Sequence, residues 1–189
     1  MTTRLTPFSL VSGPTLTTGD PASCVPTRST LVLPRGYFTE GKTLRLRAAG
    51  VVTTVLTRGA PCPDLDPGYM RFQLQLNSTT VFDSGKVPFT TLLASSSKPF
   101  TLEMSLKCMA VGAGSSTTFI GTGVLSSAYL TGSSGVAAKA GRQVVLPFDT
   151  APAAGSGVDS TVDQRLDLVY SQGVSGGSMT LLQYVVTEV

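Results

Sequence analysis

Three groupings of residues in this 189-residue chain have types and spacings that can do chemistry, and each has a plainer alternative. Asp159, Asp163 and Asp167 lie near one another, and two carboxylates flanking a cleft are what a glycosidase requires. Asp163 and Asp167 read more simply as a strand-edge residue and an outward-facing residue. Asp64 and Asp66 in CPDLDPGY have the one-residue gap of a calcium loop. The further ligands and fixed glycine of such a loop are missing, so a turn built by Pro and Asp is the better reading. GAGSS, residues 112–116, has the glycines of a phosphate cradle but neither a following helix nor a lysine. Cys24, Cys62 and Cys108 have no metal-ligand spacing. The sequence contains no histidine, which excludes His-based triads, imidazole general bases and imidazole metal sites. No catalytic residue, cofactor or metal is therefore expected, and the chain is expected not to be an enzyme.

Whatever site the chain carries has to be positioned by strands. In YMRFQLQL, Met70, Phe72, Leu74 and Leu76 share one face and Arg71, Gln73 and Gln75 the other. The alternation recurs with Leu44, Leu46 and Ala48, with Leu102, Met104, Leu106 and Cys108, and with Leu166, Leu168 and Tyr170. A one-residue slip would expose each whole set, so the register is strongly specified. Strands are expected at 30–33, 43–57, 69–76, 79–83, 100–111, 117–126, 142–148, 164–171 and 178–187, with a short hairpin at Asn77 and Ser78. A helical period appears nowhere. Long connections are expected at 130–141 and 149–164, and the fold class is all-β: an antiparallel β-sandwich, jelly-roll-like, over residues 30–189.

Residues 1–29 contain four prolines and no sustained periodicity, so an extended N-terminal arm outside the sandwich is expected there, with a segment that packs back along its own sandwich or is disordered as the alternative. Leu5, Phe8, Leu10, Val11 and Leu16 give it more apolar surface than a solvated tail needs, and these are the expected partner-binding residues. Cys24 and Cys62 lie in proline-punctuated loops and are available to pair if the chain meets an oxidising medium, whereas Cys108 reads as a buried small hydrophobe.

Composition narrows the partners. Only 13 % of residues are charged, against the usual quarter, and Thr and Ser take their place. The net charge of +3 comes from basic residues scattered singly, such as Arg28, Arg35, Lys86 and Arg142, so no nucleic-acid surface is expected. No stretch approaches the ~18 apolar residues of a membrane helix and no signal-peptide core is visible, so a soluble product made in the cytoplasm is expected, with no membrane partner. Tyr37, Tyr69 and Tyr129 are the available platforms for a sugar, and without Trp a carbohydrate-binding module is the weakest of the readings.

The succession LVLPRGYFTEGKTLRLRAAGVV, FQLQLNSTTVFDSG, PFTLEMSLKCMAVGAGSSTTFIGTGVL and GVDSTVDQRLDLVYSQGVSGGSMTLLQYVV resembles a family of virion structural proteins of tailed bacteriophages over about residues 31–186. Leu182 departs from that pattern, standing where the family often has a histidine before Gln-Tyr. The resemblance implies a non-enzymatic jelly-roll subunit of the phage particle. Capsid decoration is the preferred station, with the major capsid protein and copies of the chain, as a homotrimer, for partners. A tail or receptor-binding role with the same fold is the alternative, and the expected location is the virion.

Overall fold

The computed structural model describes residues 3–4, 13–17, 19–54, 68–89, 96–128, 130, 142–173 and 177–189. Among the described residues fourteen strands follow in chain order: β1 (Thr3–Arg4), β2 (Thr15–Leu16), β3 (Ala22–Ser23), β4 (Leu31–Leu33), β5 (Thr43–Thr54), β6 (Gly68–Leu76), β7 (Thr79–Asp83), β8 (Val87–Phe89), β9 (Ser96–Ala110), β10 (Thr117–Ser127), β11 (Arg142–Leu146), β12 (Ala154–Val158), β13 (Gln164–Gln172) and β14 (Ser178–Glu188). The described residues contain no α-helix, and one 3-10 turn spans Thr27–Ser29. Two antiparallel sheets face each other. The larger runs β1-β14-β5-β9-β10-β11, with β2 also on β14 and β12 also on β10; the smaller runs β3-β13-β6-β7, with β4 also on β13 and β8 also on β6.

Several short strands share an edge, and merging them exposes the topology. β1 and β2 lie along β14, β3 and β4 along β13, and β7 and β8 along β6. Counted as rows, the first pairs with the last (β14), the second with the one before it (β13), β5 with β9, and β6 with β7 and β8. β14 then docks on β5 and β13 on β6. A long antiparallel hairpin rolled up in this way is a jelly roll. β10, β11 and β12 are an annex that widens the larger sheet and brings β12 against β7, where a Cβ on Gly155 would sit 2.3 Å from the Val81 carbonyl.

The alternating side chains meet where the two sheets face. Met70, Phe72, Leu74 and Leu76 are at most 1 % exposed, as are Leu166, Leu168 and Tyr170, and Leu46 and Leu106 are 2 % exposed. Phe72 packs against both Phe100 and Tyr170, with ring centroids 5.5 and 5.2 Å apart. Cys108 is buried as expected. The Asn77-Ser78 hairpin is also present, with φ values of 46° and 69° at its two central residues, the primed geometry that matches the twist of the flanking strands.

The structure corrects three expectations. The described parts of residues 1–29 are extended but lie on the sandwich: they supply its first row and part of its second, with Cys24 and Val25 in the core. Prolines are tolerated there because both rows are sheet edges, where a missing N–H breaks no interior ladder. Cys24 is a free thiol in the core rather than a loop cysteine, and burial pushes it well above the usual thiol range, with Asp167 adding to the effect; Cys62 lies outside the described residues. The connection expected at 149–164 contains β12, whose AGSGV sequence has no apolar alternation to reveal it.

Candidate interaction surface

Two of the groups singled out for chemistry, Gly112–Ser116 and the pair Asp159 and Asp163, lie at one end of the roll, where they serve as scaffolding. The Gly112–Ser116 turn joins β9 to β10, residues 159–163 join β12 to β13, Asn77 and Ser78 join β6 to β7, and 34–42 lead into β5. Gly112 is the hub. Its N–H donates to Thr117 Oγ1 (3.1 Å) and Ser160 Oγ (3.2 Å), and its carbonyl accepts from Thr117 Oγ1, Ser160 Oγ and Ser160 N–H at 2.9, 3.0 and 3.1 Å. Thr117 and Ser160 are buried, so these bonds replace water that cannot reach them. The Gly36 N–H donates to the Ser160 carbonyl (2.8 Å), the Arg35 N–H to Asp163 Oδ1 (2.8 Å), and Asn77 Nδ2 to the Asp163 carbonyl (2.7 Å).

Each aspartate of the suspected carboxylate set is thus a connector. Asp163 holds the 34–36 loop and Asp167, on β13, accepts Ser23 Oγ at 2.6 Å. Asp159 accepts the Thr161 hydroxyl and N–H, and these bonds, with one from the Gly114 N–H, hold its carboxyl below the usual carboxylate range. Among the described residues no group of three His, Cys, Asp or Glu side chains is arranged to hold a metal ion. Asp64 and Asp66 lie outside the described residues.

The same end is tied to the last strand. Tyr37 donates to Glu188 Oε2 (2.8 Å), Lys42 Nζ lies 3.3 Å from Glu188 Oε1 and 4.0 Å from the Tyr37 ring centroid, and the Val189 N–H donates to the Thr43 carbonyl. The Tyr37 hydroxyl and Lys42 keep the Glu188 carboxyl below its usual range against the opposing effect of burial. Tyr37 is therefore engaged in a latch and does not offer a free ring face to a sugar. Tyr69 is likewise half-buried, with Lys86 Nζ 4.8 Å from its centroid, and Tyr129 lies outside the described residues.

On this braced end, large apolar side chains point outward. Val32, Met109, Val111, Val162 and Val189 are 58, 44, 47, 47 and 59 % exposed. Met109 owes its position to a bulge: Cys108 faces Phe119 and Ala110 faces Thr118, so Met109 is the extra residue on β9. A bulge that re-aims one side chain is a common device at interaction sites, and no periodicity signals it in advance.

The outer face of the larger sheet is the second broad surface. Across it run Val185, Arg47, Glu103, Val124 and Val145, one from each of β14, β5, β9, β10 and β11. Arg47 Nε and Glu103 Oε1 are 3.3 Å apart and well exposed, and such a pair contributes about 0–1 kcal/mol. Of the expected partner-binding residues, Leu5, Phe8, Leu10 and Val11 lie outside the described residues; Leu16 is half-buried on β2, opposite Met179 and packed against the core. No family model matches this chain, and no curated protein matches it either.

Proposed function

We propose that the chain is a non-enzymatic structural subunit of a bacteriophage particle, a decoration protein that binds the outside of the capsid shell. The observation that carries this reading is the braced end of the roll, where five large apolar side chains stand on strands, strand ends and loops held in place by hydrogen bonds. A surface ordered before binding loses little entropy on docking, and exposed apolar groups gain from being covered. The order of the segments that resemble phage structural proteins supports the reading as well, since those segments coincide with the rows of a jelly roll. The partners are the major capsid protein and further copies of the chain, as a homotrimer, and the location is the virion.

Two measurements test it. Densitometry of purified particles should give copy numbers comparable to those of the major capsid protein; a handful per particle would point to a tail or receptor-binding protein of the same fold and overturn the decoration role. A variant carrying Met109→Asp and Val111→Asp should fold normally yet lose occupancy on particles that lack the native protein, because both side chains point away from the core. Full occupancy by that variant would remove this end from the docking contact.

A further inference from the structure

The outer face of the larger sheet carries a hollow that docking through the end of the roll does not use. One row of outward residues there is Arg45, Ser105 and Thr122, on β5, β9 and β10; the next is Arg47, Glu103 and Val124, continued by Val145 on β11. The short Ser105 and Thr122 side chains sit among the longer Arg45, Glu103, Val124 and Val145, and together they line a depression of about 330 Å³. Lys107 lies two residues beyond Ser105 on the same face of β9. Directly opposed residues of neighbouring strands are ~5 Å apart and next-but-one residues along a strand ~7 Å apart, so Arg45 and Lys107 can both reach a group held over Ser105. Both are exposed, and neither belongs to an ion pair among the described residues. Glu103, by contrast, is already offset by Arg47 at 3.3 Å. The surroundings of the hollow are therefore net positive, its floor is hydroxylic and one wall is apolar.

We infer that this hollow binds one residue of an acidic saccharide, a sugar ring that carries a carboxylate. The planar fork of Arg45 takes the carboxylate, with Lys107 adding charge from the side. The Ser105 and Thr122 hydroxyls, which both donate and accept, meet ring hydroxyls, and Glu103 accepts from another. Val124 and Val145 stand against the C–H face of the ring. A bare phosphate or acetate would leave most of the hollow empty, and it would set a negative charge near Glu103 with no hydroxyl to donate to it. A ring that bears both a carboxylate and hydroxyl donors satisfies Arg45 and Glu103 together. The volume lies at the small end of the range of ligand sites, about 300–1,000 Å³, which suits a single ring. No particle is needed for this binding, so it stands or falls independently of the virion reading.

The test is titration of the isotope-labelled full chain with sodium glucuronate at constant ionic strength, read from the backbone amide shifts. Saturating shifts should centre on residues 103–107 and 122–124. Glucuronamide keeps the ring and removes the charge, and acetate keeps the charge and removes the ring, so each should bind at least tenfold more weakly than glucuronate. These comparisons use the wild-type protein and need no variant to fold. Arg45→Gln should weaken glucuronate binding at least tenfold and Thr122→Val severalfold, both side chains being exposed and outside the core. Lys98→Gln, an equal loss of charge at the other end of β9, should leave it unchanged. Shifts that fail to saturate or that centre elsewhere, binding that survives Arg45→Gln, or acetate or inorganic phosphate binding as tightly as glucuronate would each overturn the site. Tighter binding of triglutamate than of glucuronate would overturn the sugar as its occupant in favour of an acidic peptide.

Discussion

Ser84 shows how much one small polar side chain does inside this roll. It is fully buried just after β7, where its hydroxyl accepts the Phe72 N–H at 2.8 Å and donates to the Gly85 carbonyl at 2.8 Å. Replacing it with Ala leaves the Phe72 N–H without that acceptor in the core, and Ser84→Ala should cost about 1–3 kcal/mol in chemical denaturation. One residue away, Asp83 accepts from Arg71, from Gln73 Nε2 (3.1 Å) and from the Gly85 N–H (2.9 Å). Burial opposes the ionised form of Asp83, but these bonds outweigh it and the carboxyl sits below its usual range. A depressed folded-state pKa contributes stability that is present above the unfolded value of about 3.9 and is lost as pH falls through the folded value. Stability should therefore decline in acid. Asp83→Asn should flatten that decline while costing about 1 kcal/mol near neutrality, the pair being partly exposed. An acid limb identical in both proteins would show that Asp83 has no part in it.

Strand by strand, the sequence is legible wherever one face is buried and the other wet. β6 is the clearest case, since its burial alternates at every residue from Gly68 to Leu76, and the register that Leu74 and Phe72 demand is the register found opposite Leu168 and Tyr170. Truncating Leu46, Phe72, Leu74, Leu106 or Leu168 to Ala should cost about 2–5 kcal/mol each, read by denaturant midpoint. What stayed hidden is strand formation decided by neighbours. β12 forms because β10 offers it an edge and because Gly155 can approach Val81; β7 carries Val81 and Phe82 both inward, since a bulge opposite Leu74 and Gln75 breaks its alternation. The candidate surface was hidden for the same reason: the meeting of Gly112 with Ser160, and of Asp163 with Arg35 and Asn77, depends on which loops the roll gathers at one end. Turn chemistry gives a sharper prediction. Ser78 holds φ of 69° with an exposed side chain in a position that favours glycine, so Ser78→Gly should stabilise the hairpin by about 0.5–1 kcal/mol. A lower melting temperature for that variant would show that the gain in unfolded-chain freedom outweighs the relief of strain.

At the scale of the whole molecule, the nested pairing of first row with last and second with second-last makes the N-terminal segment part of the fold. β1 and β2 cover the outer edge of β14 at its two ends, and the Gly13 N–H donates to the Leu181 carbonyl between them at 2.7 Å. β3 lies on β13 beside Val169 and Tyr170, where Cys24 and Val25 enter the core and the Cys24 N–H donates to the Leu168 carbonyl at 2.8 Å. An arm that only latched onto a neighbour would leave the melting temperature unchanged when removed. Deleting residues 1–29 instead uncovers the edges of both sheets and exposes the surfaces that Cys24 and Val25 bury, at roughly 1.5–3 kcal/mol for a side chain of Val size. It also removes the ordering cost of the segment, which the prolines have already reduced by narrowing the unfolded ensemble. The net loss should be about 3 kcal/mol or more, which for a domain of this size lowers the melting temperature by roughly 6–12 °C. The uncovered rows of amide and carbonyl groups on β13 and β14 should also promote association of the truncated protein through its sheet edges. Calorimetry and sedimentation of the 30–189 fragment check both outcomes: an unchanged melting temperature would restore the segment to a detachable arm, and a destabilised fragment would assign it to the roll.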